Sequence, residues 1–149
     1  DIEALFLGRV DRRRGAALRE LEAQLIRRGH KLIIVSEAFG DDREKLLNRA
    51  RIMVNLLRAP HDLAGMRLLL GMACGALVVS EHCEGTGAFR RGEHFVMAEL
   101  NQLPEVIDHY LTHEEERSRI AKRGHRFVTQ ELTLANVVRE MLKQGVTHS

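Results

Sequence analysis

The chain has 149 residues with 23 basic and 21 acidic side chains, so its formal net charge is only +2, which argues against a nucleic-acid-binding protein that relies on a broad positive field. A chain of this length can bury a hydrophobic core of its own, and no apolar run reaches the roughly 20 residues of a membrane-spanning helix, so we expect one domain over residues 1–149 and no membrane span. The two cysteines, Cys74 and Cys83, suggest no disulfide framework, which favours a reducing, cytoplasmic location.

Strand and helix patterns alternate along most of the chain. Short apolar runs predict buried strands at residues 2–7, 31–35, 52–57 and 76–80, and the run at 94–98 would add an edge strand. Amphipathic periodicity predicts helices between them, at residues 15–28, 41–50 and 62–74. Because helices alternate with strands, the strands must pair in parallel, so the sequence predicts an α/β fold: a Rossmann-like parallel sheet with helices on both faces.

After the edge strand the alternation stops, and the remainder predicts a C-terminal helical tail. Helical patterns cover residues 103–111, 114–132 and 134–143, with Thr133 as the N-cap of the last. We see no internal repeat and no linker. The chain opens at Asp1, without a methionine, directly before a strand, and we therefore expect it to be one domain of a longer two-domain protein.

The segment at 66–81 passes from an apolar helix into a buried strand at Gly75, where glycine can take the left-handed conformation that ends a helix. Before this helix, Pro60 offers a rigid turn, Asp62 a capping acid and Gly65 a close backbone approach. In doubly wound sheets, helix N-termini at this edge bind anionic groups. The junction therefore predicts a ligand that carries phosphate.

Two charged side chains near this junction are candidates for contact with the ligand. Asp62 either caps the helix and does nothing more, or its carboxylate also accepts a hydrogen bond from a ligand hydroxyl. Arg67 lies one turn into an otherwise apolar helix, where a purely solvated arginine is less expected, so we predict that it serves a phosphate.

The loop after the first predicted strand is rich in arginine. Between Gly8 and Gly15 the chain carries Arg9, Arg12, Arg13 and Arg14. Guanidinium groups pair well with phosphate oxygens, and ligands bind at the carboxyl ends of parallel strands, so this loop predicts a diphosphate site. The alternative is that any one of these arginines belongs to a solvated charged face.

The loop after the fourth predicted strand contains Gly85-Thr86-Gly87, whose backbone amides could face a phosphate or a sugar. The alternative is a simple flexible loop. Four side chains that could ligate a metal match no zinc spacing, so we expect no metal site among them: His61, His82, Cys83 and His94. The chain has no Gly-x-Gly-x-x-Gly after its first strand, no Walker lysine and no nucleophile elbow, so we expect no dinucleotide cofactor and no other cofactor.

Together these motifs resemble the C-terminal, donor-binding domain of a GT-B glycosyltransferase of the group-1 type, most closely the CgeB-like, spore-coat maturation proteins. Gly8-Arg9 followed by Arg14-Gly15 is similar to the family's Gly-Arg and Lys-Gly pattern, with Arg14 in place of the lysine. The segment at 62–79 is similar to the family's segment that begins with a glutamate and closes in Ala-Cys-Gly and a strand; here Asp62 stands at the acidic position. Residues 89–93 are similar to the family's Phe-x-x-Gly-x-Glu segment.

The chain departs from this family at Leu70, which occupies the position of a second glutamate that grips the ribose of the donor. A leucine cannot accept hydrogen bonds from the ribose hydroxyls. Leaving them unpaired would cost about 1–3 kcal/mol of donor binding. Either another group compensates, or this chain binds the donor poorly.

The resemblance implies a metal-independent, hexosyltransferase-like enzyme, bacterial in origin, that transfers a sugar to a cell-envelope, polysaccharide or protein acceptor. This domain would hold a nucleotide-diphosphate sugar, with Arg9 and Arg14 on the diphosphate and with Asp62, Gly65, Arg67, Gly85 and Thr86 as further substrate-binding positions. The acceptor and any catalytic base would come from the N-terminal acceptor domain of the same chain. We therefore assign no catalytic residue here, and we expect the fragment alone to bind the donor without turnover.

Two other readings of the sequence stay open. A degenerate, non-catalytic Rossmann-like domain with a role in assembly or regulation is favoured by Leu70, whereas Arg9 and Arg14 favour the transferase. A flavodoxin-like or receiver-like module is less favoured, because the third strand is followed by Leu57-Arg58 and not by a phosphoacceptor aspartate.

Overall fold

The computed structural model describes residues 1–37, 40–59, 65–132, 139 and 142–143. These residues form one five-stranded parallel sheet with the strand order β2-β1-β3-β4-β5. The strands are β1 (Ile2–Leu7), β2 (Leu32–Val35), β3 (Ala50–Asn55), β4 (Leu77–Glu81) and β5 (Val96–Ala98). In the register of the central strands, Ala4 lies opposite both Leu32 and Ile52. The predicted parallel sheet is confirmed, with strand ends shifted by one or two residues.

The helices of the described residues are α1 (Arg12–Arg27), α2 (Asp41–Arg49), α3 (Gly65–Ala73), α4 (Leu103–Thr112) and α5 (Glu114–Arg126). A 3-10 turn (Leu100–Gln102) leads into α4, and a π-helical turn (Phe127–Glu131) continues α5. α1 begins three residues before its predicted start because Asp11 caps it, with the Asp11 carboxylate accepting from the Arg14 amide at 2.8 Å. The predicted helix at 134–143 and its Thr133 cap lie almost wholly outside the described residues.

Side chains on successive strand positions enter two different layers of the core. Ala4 and Phe6 of β1 pack in one layer with residues of α1, α4 and α5, whereas Leu5 and Leu7 pack in the other with Leu47 of α2. α3 covers the second face of the sheet beyond α2, where it packs on β4. Because both faces are covered, the strands are apolar on both sides, and this is why they appear in the sequence as continuous apolar runs.

α3 packs unusually close to the sheet and ends as predicted. A Cβ atom at Gly71 would lie 2.5 Å from Cγ2 of Val78 and 2.8 Å from Sδ of Met53, so only a glycine permits this separation. Gly75 has φ of 82°, and its amide donates to the Met72 carbonyl at 3.1 Å while the next amide donates to the Gly71 carbonyl. This pair of hydrogen bonds is the Schellman motif that ends helices at a left-handed glycine.

The strand order changes direction at the centre of the sheet, between β1 and β3. From β1 the chain crosses to β2 on one side, and from β2 it returns to β3 on the other side of β1. The connections that follow β1 and β3 therefore lead away from each other, and they leave a crevice beyond the carboxyl ends of these two strands. The loop that starts at Gly8 and the segment that follows Asn55 border this crevice. None of the helices in the described ranges combines the length and the apolar character needed to cross a membrane.

Candidate functional site

Arg14, in the first turn of α1, carries a buried guanidinium group at the crevice. The residue is only 1% exposed, its Nε donates to the Asp11 carboxylate at 3.2 Å, and its Cζ lies 5.8 Å from the centre of the Phe6 ring. The Nη2 atom of Arg14 is also buried and has no hydrogen-bond partner among the described residues. Burying a charged donor without a partner is costly. An anionic oxygen that reaches Nη2 would supply the missing acceptor.

Gly8 and Arg9 form the other side of this loop. A Cβ atom at Gly8 would lie 3.7 Å from Nη1 of Arg14, so Gly8 is next to the buried guanidinium. Arg9, which follows it, is exposed. The two cations of the predicted diphosphate site thus have different environments: Arg14 is fixed in the protein, and Arg9 is in contact with solvent.

Arg13 and Glu81 form a clamp across the edge of the sheet. Nη2 and Nη1 of Arg13 donate to the two carboxylate oxygens of Glu81 at 2.6 and 2.9 Å, and Nη1 also donates to the Leu57 carbonyl at 2.8 Å. The Leu57 amide donates to the same carboxylate at 2.7 Å. The clamp joins the first turn of α1 to the ends of β3 and β4, and it raises the pKa of Arg13, chiefly through the hydrogen bonds to Glu81. These contacts hold both borders of the crevice together.

A second polar network lies deeper, between β3, β4 and α3. Asn55 is 1% exposed; its amide nitrogen donates to Ser80 Oγ at 2.9 Å, and its amide oxygen accepts from Nε of Arg67 at 2.7 Å. Ser80 in turn donates to the Glu81 carbonyl. Asn55 therefore orients the half-buried Arg67, which the sequence predicted as a phosphate ligand.

The other predicted site residues fall in different places. Asp62 lies outside the described residues, and Gly65 is the first residue of α3. Gly85 has φ of 67° in the loop after β4. The hydroxyl of Thr86 donates to the Phe89 carbonyl at 3.0 Å, and the Phe89 amide donates back to the Thr86 carbonyl, so Thr86 closes its own turn.

Leu70 lies half-buried on α3, three residues after Arg67 and thus on a neighbouring part of the helix surface. The position at which the resemblance led us to expect a ribose contact is therefore apolar, and Arg67 lies three residues before it on the same helix. The described helix supplies no carboxylate at this position.

His94 belongs to the hydrophobic core. It is 7% exposed, its Nδ1 accepts from the Arg90 amide at 3.0 Å, and its ring stacks on Phe127 with centroids 4.2 Å apart. Burial lowers the pKa of His94, which favours the neutral ring. Of the other side chains that were weighed as metal ligands from the sequence, Cys83 is buried beside Ser80, whereas His61 lies outside the described residues.

The sequence did not predict that Glu81, Arg13 and Asn55 hold the candidate site together through hydrogen bonds. One signal was available, because a glutamate and an asparagine that end buried apolar strands must find partners for their polar groups. The arginine that pairs with Glu81 could not be chosen from four neighbours without the geometry of the turn.

Comparison with known proteins gives a family model and several structural neighbours. Residues 12–143 match the family described as glycosyl transferase-like. A search of curated proteins gives no significant match. TarM superposes with a TM-score of 0.75 at 10% identity, over 95% of this chain and 34% of TarM. HepE of Anabaena, in complex with UDP and glucose, superposes with a TM-score of 0.61 at 17% identity, over 96% of this chain and 40% of HepE.

A third neighbour is an isolated domain. The C-terminal domain of the group 1 family glycosyl transferase LpcC from Francisella tularensis superposes with a TM-score of 0.64 at 15% identity, over 88% of this chain and 86% of that domain. The chain thus spans 34% of TarM and 40% of HepE but most of the isolated LpcC domain. At these identities the likeness concerns the fold, which is that of a GT-B C-terminal domain.

Proposed function

The chain belongs to the glycosyl transferase-like family, and we propose that it is the donor-binding domain of a GT-B glycosyltransferase, which holds a nucleotide-diphosphate sugar in the crevice beyond β1 and β3. The observation that carries this proposal is the buried guanidinium of Arg14, whose Nη2 lacks a partner among the described residues. A diphosphate oxygen would supply that partner. The UDP and glucose bound in HepE, a structural neighbour, support the same ligand class.

In this proposal the two arginines of the first loop have separate roles. Arg14 is held by Asp11 and Phe6, so it presents a preoriented cation to the diphosphate, whereas the exposed Arg9 approaches from the solvent side. Guanidinium groups placed where negative charge develops on a leaving diphosphate lower the barrier of transfer. The amino end of α3, with Gly65 and Arg67, adds the positive end of its helix dipole. This scheme needs no metal ion at the donor.

Further parts of the proposal concern the whole protein. The chain covers 34% of TarM and 40% of HepE, which supports a longer protein with an N-terminal domain that binds the acceptor and supplies any catalytic base. We propose a cell-envelope, polysaccharide or protein acceptor and a cytoplasmic enzyme. In such an enzyme the present chain binds the donor and does not turn it over alone.

The second candidate function is a degenerate domain of this fold that binds no donor and acts in assembly or regulation. Leu70 favours this candidate, because no carboxylate stands at the ribose position of the described helix. The two candidates make opposite predictions for nucleotide binding.

Calorimetric titration with UDP, GDP, ADP and UDP-glucose tests the proposal. We expect saturable binding of one nucleotide, weakened about 10–100-fold by Arg14→Met, because a hydrogen bond to a charged group contributes about 1.5–3 kcal/mol. Arg14→Lys, which restores the family's residue, should retain most of the affinity. Arg12→Met is the matched control, since Arg12 is an exposed neighbour in the same turn. Absence of binding up to millimolar nucleotide in the folded chain would favour the degenerate domain.

A further inference from the structure

Two histidines and a glutamate meet at the corner between α4 and α5. One ring nitrogen each of His109 and His113 and one carboxylate oxygen of Glu116 all lie within 4.8 Å of one another. Nε2 of His109 is 2.6 Å from Oε2 of Glu116, and the two imidazole rings stack with centroids 4.0 Å apart. Three metal-binding groups therefore converge on one small region of the surface.

This cluster is remote from the proposed donor site. Asp108, next to His109, contacts the ring of His30 at 2.7 Å, and the same ring contacts Glu3 at the start of β1. The start of β1 is the amino end of the sheet, whereas the crevice lies beyond the carboxyl ends of the strands. The cluster and the donor site thus occupy opposite ends of the domain.

The hydrogen bonds of His113 prepare its ring for metal binding. Nδ1 of His113 lies 2.8 Å from the His109 carbonyl oxygen, which can only accept, so Nδ1 carries the proton. In the neutral ring this leaves the lone pair on Nε2. A histidine that binds a metal usually donates its other ring nitrogen to a carbonyl or carboxylate in this way, because that contact fixes the tautomer and the ring orientation.

We propose that His109, His113 and Glu116 bind one Zn²⁺ ion, with water as the fourth ligand. Two imidazole nitrogens and one carboxylate oxygen suit zinc, whereas calcium and magnesium prefer sets of oxygen ligands. His109 is exposed and Glu116 is half-buried, so the His109 ring can rotate out of its stack on His113, and Glu116 can follow, to the geometry that bonds of about 2.0–2.2 Å require. The ion would fasten the end of α4 to the first turn of α5.

The spacing His-x-x-x-His-x-x-Glu can be read from the sequence. It does not by itself predict a metal site, because the sequence places a helix boundary between the first and the last of these residues. On one continuous helix the three side chains would share a face. Here His109 belongs to α4, His113 lies at the boundary and Glu116 belongs to α5, and the corner between the helices brings them together.

Titration of the tag-free chain with zinc chloride by calorimetry, near neutral pH, tests the proposal. We expect one ion bound per chain, and a thermal midpoint raised by about 5–10 °C when free Zn²⁺ is 100-fold above its dissociation constant. Cobalt chloride should give the visible absorption bands of a nitrogen-ligated, near-tetrahedral Co²⁺. His113→Ala and Glu116→Gln should each weaken Zn²⁺ binding by at least about 10-fold, since even loss of an outer contact to a zinc ligand costs 10–100-fold.

His82→Ala is the matched control, because His82 is an exposed histidine outside the cluster, and it should leave Zn²⁺ binding unchanged. Circular dichroism of each metal-free variant checks that the variant folds. His113→Ala changes an exposed side chain and Glu116→Gln a half-buried one, and one folded variant of the two is enough for the test. Lack of saturable binding below millimolar Zn²⁺ would overturn the proposal. Equal affinity in wild type and His113→Ala would overturn it as well, because the ion would then occupy other side chains.

Discussion

The clamp between Arg13 and Glu81 can be tested by removing its acceptor. Glu81 is 5% exposed and receives three hydrogen bonds, two from Arg13 and one from the Leu57 amide. In Glu81→Ala all three are lost, and the Leu57 amide loses its side-chain acceptor in a buried position. We expect destabilisation by about 2–3 kcal/mol, because the buried Leu57 amide is left without its acceptor, at about 1–3 kcal/mol, whereas water can solvate Arg13, whose side chain is 37% exposed.

Glu81→Gln should cost less. A glutamine keeps one acceptor oxygen, which can accept from the two donors that contact Oε2 of Glu81, namely Nη1 of Arg13 and the Leu57 amide. Its amino group then faces Nη2 of Arg13, and two donors cannot form a hydrogen bond. One charge-assisted hydrogen bond is lost, and because the Arg13 side chain is 37% exposed, water can replace part of it. The expected cost is therefore about 1–2 kcal/mol, at the lower end for a bond to a charged group.

Urea denaturation of both variants measures these costs, with Glu84→Gln as the control at an exposed glutamate of the following loop. Arg13→Met and the double variant complete a cycle that isolates the pairwise energy. If Glu81→Ala lies within about 0.5 kcal/mol of wild type, the range of neutral surface changes, the assignment of the clamp is wrong. The same holds if the two single changes are simply additive.

Three further predictions concern packing, donor affinity and pH. Gly71→Ala should lower the free energy of unfolding by about 1–2 kcal/mol, measured by urea denaturation. Overpacking against Val78 and Met53 costs about 1–3 kcal/mol, and the higher helix propensity of alanine offsets up to about 1 kcal/mol of this cost. A neutral effect would contradict the close approach of α3 to the sheet. Under the donor-binding proposal, Leu70→Glu should strengthen nucleotide binding about 10-fold or more in calorimetry, since a carboxylate would pair with ribose hydroxyls. An unchanged affinity would refute the proposed ribose position. Burial lowers the pKa of His30, but its hydrogen bonds to Glu3 and Asp108 outweigh burial and raise the pKa above 6.5. The protonated ring therefore stabilises the fold fully below about pH 6.5, and this contribution is lost as the pH rises through the folded-state pKa. His30→Gln should thus cost more stability near pH 6 than near pH 9 in urea denaturation, and equal costs would contradict a charged ring.

The fold followed from the sequence because burial on both sides of a parallel sheet leaves a continuous apolar signature. Residues 2–7 form the predicted first strand without any shift, and Gly75 ends α3 as expected. α1 begins earlier than predicted, because Asp11 caps it at Arg12. The run of arginines after Asp11 had been interpreted as a charged loop and not as the first turn of the helix.

The candidate site was less predictable, for a physical reason. Neighbouring arginines look alike in sequence, but Arg13 pairs with a glutamate 68 residues away, whereas Arg14 is buried beside Phe6 and Gly8. Which arginine is buried depends on the direction in which α1 leaves the sheet. Such contacts between distant residues leave no periodic pattern.

The depth at which α3 packs also limits how this domain can move. With no side chain at position 71, the helix backbone is in direct contact with β3 and β4, and a slide of the helix would drive it into Val78 or Met53. The carboxyl-terminal half of α3 therefore has no room to slide along β3 and β4. Under the proposal of a two-domain transferase, closure over the donor would therefore move this part of the domain as one rigid unit.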